Sequence, residues 1–437
     1  MNDETGAAPA GELAAQDRSP FVSHPLRSFA VGEVHARPFR PVETPRIIHH
    51  LAFVVGEVTD DEMDGLARFC TAHGALPPAP GARHHVVALG NAELRWERHT
   101  EFVTLTLSVA PPPGDPFQAP RESSLAAFLP KVPGQLLVAT RLALVPAGAD
   151  GPDIDGFESS GVCVASVDGG NAFVVTDFRA DQSGFTRIRV EDRGLGPARA
   201  GALVQRILEI ETYRTLAVLG LPEAQRITPL LNGVEQDVAA VTAEMRQGPG
   251  YELSRQLLDR LTGLAAEIEA ESAAVAYRFG ATHAYEEIIN LRLAAIREER
   301  VPGYGTIASF LARRLKPAMR TCYAVEARLT DLAQKLNRAT QLLRARIDVE
   351  LESQNRNLLD SMNRRARLQL RLQRTVEGLS VAAVSYYTVG LIGYVASGGD
   401  DFFGWAISPV LVTAAAVPIV VLAVWLMVRR IRRHAED

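Results

Sequence analysis

The stretch LSVAAVSYYTVGLIGYVAS, residues 379–397, is rich in apolar residues and holds no charged side chain. A second uncharged run follows at residues 406–428. A transmembrane helix needs about 20 consecutive apolar residues to cross a hydrocarbon core about 30 Å thick. Two such runs, adjacent and near the end of the chain, favour a membrane hairpin over two buried helices of a soluble domain. We therefore predict transmembrane helices at about residues 379–397 and 406–428.

Arginines flank both runs and orient the predicted hairpin. Arg371 and Arg374 precede the first run, Arg429 and Arg430 follow the second, and the loop between the runs has only acids as its charged residues. Because arginine-rich flanks stay on the cytoplasmic side, both termini are predicted to be cytoplasmic in a bacterial inner membrane, with the lipid bilayer as a partner. The net charge of -5 and the position of these arginines beside the membrane predict no nucleic-acid partner.

Residues 1–196 predict a disordered tail followed by an α+β domain. Residues 1–20 are rich in Ala, Gly, Asp and Glu and lack the basic-then-apolar pattern of a signal peptide, so they are predicted to be the disordered tail. Residues 21–196 alternate short apolar runs with Pro and Gly, which is typical of strands separated by turns. One helix is predicted at residues 60–73, and strands are predicted at residues 47–55, 85–89, 102–109, 136–145, 162–167, 172–176 and 185–190. Strands with one interrupting helix indicate an α+β domain.

Residues 197–376 change to sustained helical periodicity. Helices are predicted at residues 198–219, 222–245, 251–299 and 307–374, separated by clusters of Gly and Pro. Within the last helix an apolar seam repeats at alternating spacings of four and three residues, as in a coiled coil: Val325, Leu329, Leu332, Leu336, Ala339 and Leu343. The seam either packs on earlier helices of the same chain or meets copies of itself. The long polar remainder of this helix favours a projecting stalk, and a homo-oligomer is predicted.

The sequence contains no recognisable motif for catalysis or cofactor binding. His49 and His50 are adjacent on a predicted strand, where neighbouring side chains face opposite sides, so the pair cannot chelate a metal from one face. The cysteines lie far apart, without the CxxC spacing of a zinc site: Cys70, Cys163 and Cys322. We therefore predict no enzyme, no cofactor and no metal site.

Charged residues at alternating positions follow one predicted strand. Arg95, Glu97 and His99 share one face because a strand repeats every two residues. Such a face is usually solvated or holds cross-strand ion pairs. An anion-binding groove is the alternative.

The opening of the chain carries a distinctive signature. It reads His24-Pro25-Leu26-Arg27 and then Glu33-Val34-His35-Ala36-Arg37-Pro38, and further characteristic stretches lie at residues 94–102, 319–322 and 376–380. These stretches resemble a bacterial family of membrane-anchored proteins of unknown function. The resemblance covers nearly the whole chain after about residue 21 and implies no substrate and no catalytic residue. His24, His35 and Glu33 would form a site only where a turn brings them together.

The layout also looks like the CorA class of magnesium channels, which are pentamers whose first span lines the pore. That class carries Gly-Met-Asn at the end of this span, whereas here the stretch is Gly393-Tyr394-Val395-Ala396-Ser397. Two functions follow. The first is a membrane-anchored, self-associating cytoplasmic scaffold or sensory module. The alternative is a CorA-like oligomeric cation channel without that motif, with candidate outer-mouth or pore residues Asp400, Asp401, Ser385, Tyr386 and Ser397.

Overall fold

The structure, a computed structural model, describes residues 24–27, 31, 39–56, 60–117, 129–149, 151–246, 250–403 and 408–435. It confirms the α+β class: a sheet-rich region is followed by long helices and a C-terminal apolar helix. The predicted tail at residues 1–20 lies outside the described residues. The chain divides into two compact units, residues 1–240 with 263–336, and residues 241–262 with 337–437.

The described strands form one nine-stranded sheet in the order β2-β3-β4-β1-β5-β8-β7-β6-β9. Neighbouring strands are antiparallel except for the parallel pair β5 and β8. The strands are β1 Arg46–Val54, β2 His84–Leu89, β3 Ala92–Arg98, β4 Phe102–Val109, β5 Gln135–Pro146, β6 Cys163–Val167, β7 Ala172–Ala180, β8 Thr186–Asp192 and β9 Glu299–Arg300. The helices are α1 Asp60–Ala72, α2 Pro197–Val218, α3 Gly220–Met245, α4 Tyr251–Ile296, α5 Ile307–Phe403 and α6 Pro409–Ala435.

The sheet buries side chains on both faces. Along β1, Ile48 and Ala52 belong to a core that includes Leu203 of α2. Leu51 belongs to a separate core that includes Leu66 of α1. Because successive side chains of a strand point to opposite faces, α2 and α1 cover opposite sides of the sheet.

Two predicted helix boundaries are wrong, each for a local reason. The break predicted around residues 220–222 is reduced to Leu219 between α2 and α3, because Pro222 lies in the first turn of α3, where its missing N–H is not needed. Gly220 allows this close approach, since a Cβ there would lie 2.4 Å from Oγ1 of Thr282. The helix predicted to end at residue 299 ends at Ile296, because residues 299–300 pair with β6 as strand β9.

The predicted apolar seam of α5 packs inside the chain. In the first unit Val325, Leu329, Leu332 and Leu336 are buried. Arg328, on the same stretch of α5, donates hydrogen bonds to side chains of α3, including Asn232 at 2.7 Å and Glu235 at 2.9 and 3.1 Å. Leu343 is buried in the second unit. Of the two alternatives that the sequence left open, packing on earlier helices of the same chain is therefore the one observed.

Helix α5 continues without interruption from Ile307 through the first apolar run to Phe403. The loop predicted between the two runs does not begin directly after residue 397, because residues 398–403 are still helical. Gly398 and Gly399 together destabilise the helix by only about 2 kcal/mol relative to alanine. This cost does not end a helix that gains one hydrogen bond with each added residue. The next helix, α6, begins at Pro409, where the fixed φ angle of proline suits the first helical position.

Candidate functional site

A polar cavity of about 190 Å³ lies between the sheet and helix α2 in the first unit. Arg95, Glu97 and His99 all line it, so the predicted shared face of this stretch is confirmed. The opposite wall includes Gln205 and Glu209 of α2.

Ion pairs and hydrogen bonds link the charged groups around this cavity. Nε of Arg95 lies 3.4 Å from the Glu97 carboxylate, and Nη1 of Arg95 lies 3.4 Å from Oε1 of Gln205. Gln205 donates a hydrogen bond of 3.0 Å to Glu209, which also pairs with Arg292 of α4. Two guanidinium groups thus face two carboxylates. This balance fits an ion-pair face better than an anion-binding groove.

His50 lies buried at the floor of the cavity between two threonines. Its Nδ1 is 2.8 Å from Oγ1 of Thr106 and its Nε2 is 2.9 Å from Oγ1 of Thr212. The Thr212 hydroxyl donates its proton to the carbonyl oxygen of Leu208 at 2.9 Å. A hydroxyl has one proton to donate, so Thr212 accepts from Nε2–H of His50, and Nδ1 accepts from Thr106. Both ring nitrogens are therefore occupied in a neutral imidazole.

The environment keeps the two adjacent histidines neutral. Burial, followed by the charge of Arg95, lowers the pKa of His50 to about 3. On the opposite face, burial followed by the charge of Arg141 lowers the pKa of His49 to about 4. The two rings point to opposite sides of β1, as the strand alternation predicted. Among the residues that the structure describes, no cluster of three or more His, Cys, Asp or Glu could hold a metal ion.

Thr104 brings a buried hydroxyl without a hydrogen-bond partner to this cavity. The side chain lines the cavity and is 3% exposed. Within the described part of the chain its Oγ1 neither donates nor accepts a hydrogen bond. Buried hydroxyls are normally hydrogen-bonded to protein or to ordered water. The Thr104 hydroxyl can therefore form a hydrogen bond with a small polar ligand in the cavity.

The opening signature is only partly described. Backbone N–H of Leu26 donates a hydrogen bond of 3.1 Å to Nδ1 of His24, and Arg27 N–H donates to the His24 carbonyl at 2.9 Å. These contacts form a local turn that also contains Pro25. The other signature residues lie outside the described residues: Glu33, His35, Arg37 and Pro38. A joint site of His24, Glu33 and His35 stays a prediction.

The apolar helices α5 and α6 pack against each other in the second unit. A Cβ at Gly393 would lie 3.3 Å from Oγ1 of Thr413, which shows how closely the two backbones approach. Ser385 is buried at 4% exposure, whereas Tyr386 and Ser397 are exposed. The candidate pore residues therefore lie on different sides of α5. The side chains of Asp400 and Asp401 lie outside the described part.

Exposed arginines stand at both ends of the hairpin. Arg371 and Arg374 of α5 and Arg429 and Arg430 of α6 are all exposed. The Arg429 guanidinium lies 5.1 Å from the ring centre of Trp425. Tryptophan beside arginine is typical of a membrane interface.

The fold and the hairpin together define an α+β protein with two helices long and apolar enough to span a membrane. The chain belongs to the family described as "Protein of unknown function (DUF3422)", whose model matches residues 22–435. The match confirms the resemblance that the opening signature indicated. No curated protein matches the chain.

Sequence reasoning missed the threonines around His50. The signal was available, because Thr104 and Thr106 alternate on β4 and Thr106 is the register partner of His50. What the sequence did not contain was the pairing of β4 with β1. The contact of Thr212 with His50 could not be predicted from the sequence, because it depends on how α2 docks on the sheet.

Proposed function

We propose that this protein is a membrane-anchored, self-associating cytoplasmic module that acts as a scaffold or sensor. The first unit and both termini lie in the cytoplasm, and the α5–α6 hairpin lies in the bacterial inner membrane. The observation that carries this proposal is an exposed apolar stripe on α5 that leads into the first apolar run.

The stalk stripe comprises Leu351, Leu358, Met362, Leu372 and Val376, all exposed. Leu351 and Leu358 are seven residues apart, and Met362 and Val376 each follow a stripe leucine by four residues. Residues at these spacings share one face of a helix. Covering this apolar face removes it from water and so lowers the free energy of the helix. A second copy of the same helix has a matching stripe that can cover it.

The charge pattern supports the orientation of the anchor. Arg371 and Arg374 precede the first run, and Arg429 and Arg430 follow the second. Each arginine near an anionic headgroup contributes about 1 kcal/mol of attraction to the membrane surface. The hairpin thus holds the stalk at the cytoplasmic face of the membrane. The polar cavity between the sheet and α2 gives the first unit a binding site for a small polar ligand.

Sedimentation of the detergent-solubilised protein tests self-association. We expect the wild type to sediment as an oligomer and the double variant Leu358→Asp, Leu372→Asp to sediment as a monomer. The matched control is Leu359→Asp with Leu370→Asp, because these leucines are equally exposed but lie off the stripe. A monomeric wild type, or equal dissociation of both variants, would overturn the proposal.

The second candidate function is a CorA-like oligomeric cation channel without the Gly-Met-Asn motif. The uninterrupted course of α5 from the first unit into the first apolar run favours it, because that class shares this layout. In an oligomer, Asp400 and Asp401 would form an acidic ring that concentrates cations at the outer mouth. Tyr386 and Ser397, exposed on α5, are the better lining candidates, since Ser385 is buried.

Flux into liposomes separates the two functions. Liposomes containing the oligomeric protein and a dye sensitive to divalent cations should show cation entry if the protein is a channel. Changing Asp400 and Asp401 together to Asn should reduce this entry. No flux of several cations through correctly inserted oligomers would leave the scaffold or sensor as the function.

A further inference from the structure

A wide groove of about 1000 Å³ lies at the β9 edge of the sheet in the first unit. Its walls are residues 159–163, the turn between β9 and α5, and the first turns of α5. A second hollow of about 290 Å³ shares Ser160, Gly161, Phe310 and Arg314 with it. We call the two together the basic groove.

Three arginines of the basic groove have no carboxylate partner. Arg300 lies on β9, and Arg313 and Arg314 lie on α5. In the described part of the chain none of the three forms an ion pair. Arg314 instead lies over the ring of Phe310, 5.3 Å from its centre.

The other two arginines of the basic groove are already paired with carboxylates. Arg179 pairs with Glu158, and Arg214 pairs with Glu211. The acid that lines the groove, Asp177, accepts backbone N–H groups at 3.1 and 3.0 Å. Three unpaired guanidinium groups outnumber the one carboxylate of Asp177, so the charged residues that line the groove carry an excess of positive charge.

Hydroxyl groups lie among these arginines, whereas the helix terminus is already capped. Ser159, Thr306 and Ser309 line the groove. The Ser309 hydroxyl already donates to the Thr306 carbonyl oxygen at 2.8 Å, so Ser159 and Thr306 are the hydroxyl groups that can donate to a ligand. The first N–H groups of α5, of Ile307 and Ala308, donate to the Glu298 carboxylate at 3.0 and 2.9 Å. The binding capacity for an anion thus comes from guanidinium and hydroxyl groups and not from the helix N-terminus.

We propose that the basic groove binds a soluble small molecule that carries phosphate groups. Arginine donates paired hydrogen bonds that match the oxygens of phosphate, and a groove of this volume is large enough for a ligand of metabolite size. The inference rests on the proposed function for its purpose, as the input of a sensory module. Binding itself does not depend on self-association.

Calorimetric titration of the detergent-solubilised full chain with inorganic pyrophosphate tests the inference. We expect binding at low salt that weakens as sodium chloride is raised, because salt screens exposed charges. Replacing Arg313 and Arg314 together by Ala should weaken binding at least about tenfold, since hydrogen bonds to charged groups are among the strongest in proteins. Arg300→Ala, on a different element, should also weaken it.

The matched control is Arg320→Ala, an exposed arginine on the same helix that does not line the groove. It should bind pyrophosphate as the wild type does, and circular dichroism should show equal folding of all variants. Loss of binding in Arg320→Ala as well, or no binding to any form, would overturn the inference.

A second titration uses micelles of short-chain phosphatidylglycerol. Binding of this lipid but not of pyrophosphate would assign the groove to lipid headgroups and overturn the proposal of a soluble ligand. The variant Leu358→Asp, Leu372→Asp should still bind pyrophosphate, which separates this inference from self-association.

Discussion

Arg278 of α4 binds the carboxylate of Glu101, in the turn between β3 and β4, through two hydrogen bonds. Nη1 lies 3.0 Å from Oε1 and Nη2 lies 2.7 Å from Oε2. The Tyr285 hydroxyl donates a third hydrogen bond of 2.5 Å to Oε1. Burial and this bond to a carboxylate raise the pKa of Tyr285 well above its ordinary value. Glu101 is buried, so these contacts fix a long helix onto one end of the sheet.

Replacing Glu101 by Ala should lower the free energy of unfolding of the first unit by about 3 kcal/mol, because the change leaves the Arg278 charge and a phenol hydroxyl without partners. Chemical denaturation in detergent, followed by circular dichroism, measures the change. The control is Asp331→Ala, which breaks an exposed ion pair with Lys335 in the same unit and should cost no more than about 0.5 kcal/mol. Equal effects of the two substitutions would contradict a stabilising role of the Glu101 contacts.

Acid should destabilise the sheet-rich unit partly through His50. Its pKa of about 3 in the folded chain lies below the ordinary value of 6.5, so the unfolded chain binds more protons below pH 6.5 and stability falls as the pH falls. Between pH 6.5 and 5 the slope of this contribution for one such histidine rises towards about 1.4 kcal/mol per pH unit, as the histidine of the unfolded chain becomes fully protonated. His50→Gln should therefore show a flatter loss of stability over this range, although it is less stable at pH 7. Parallel stability curves of the two proteins would refute this account.

The close approach of α5 and α6 at Gly393 should be detectable by disulfide formation. With cysteine at positions 393 and 413, mild oxidation should form a bond that blocks labelling by a maleimide polymer under native conditions. The control places the first cysteine at Gly390, where a Cβ meets no atom within 4 Å. The native thiols Cys70, Cys163 and Cys322 are buried and should not react. Efficient bonding from position 390 but not from 393 would show that the hairpin packs on another face.

Both termini should lie in the cytoplasm. Fusions of a cytoplasm-active and a periplasm-active reporter after Glu377, Asp401 and Asp437 measure this, and we expect periplasmic activity only after Asp401. The physical reason is that arginines stand on the outer flanks of the hairpin and acids stand between the runs. Periplasmic activity at the C-terminal fusion would contradict both the hairpin and its orientation.

Local periodicity predicted most elements of the sheet. The strand predicted at residues 102–109 is observed as β4 with the same bounds, and the alternation that placed Arg95 and Glu97 on one face is also observed. Such features depend on side-chain spacing along a few residues. The helix boundaries near residues 220 and 299 failed because a close helix contact in one case and a strand pairing in the other overrode the local pattern.

The α+β class, the family and the two apolar runs could be predicted from the amino-acid sequence alone, because they depend on local spacing, on short characteristic stretches and on uninterrupted lengths of uncharged residues. The sequence left open whether the seam at Leu329 and Leu332 packs inside the chain, since an apolar face looks the same whichever surface covers it. The packing of the helices shows that it does, and the fold also brings Glu101 to Arg278, 177 positions further along. It placed Arg300 of β9 and Arg313 of α5 around one groove. Contacts between distant segments depend on how whole elements dock, which no local pattern records.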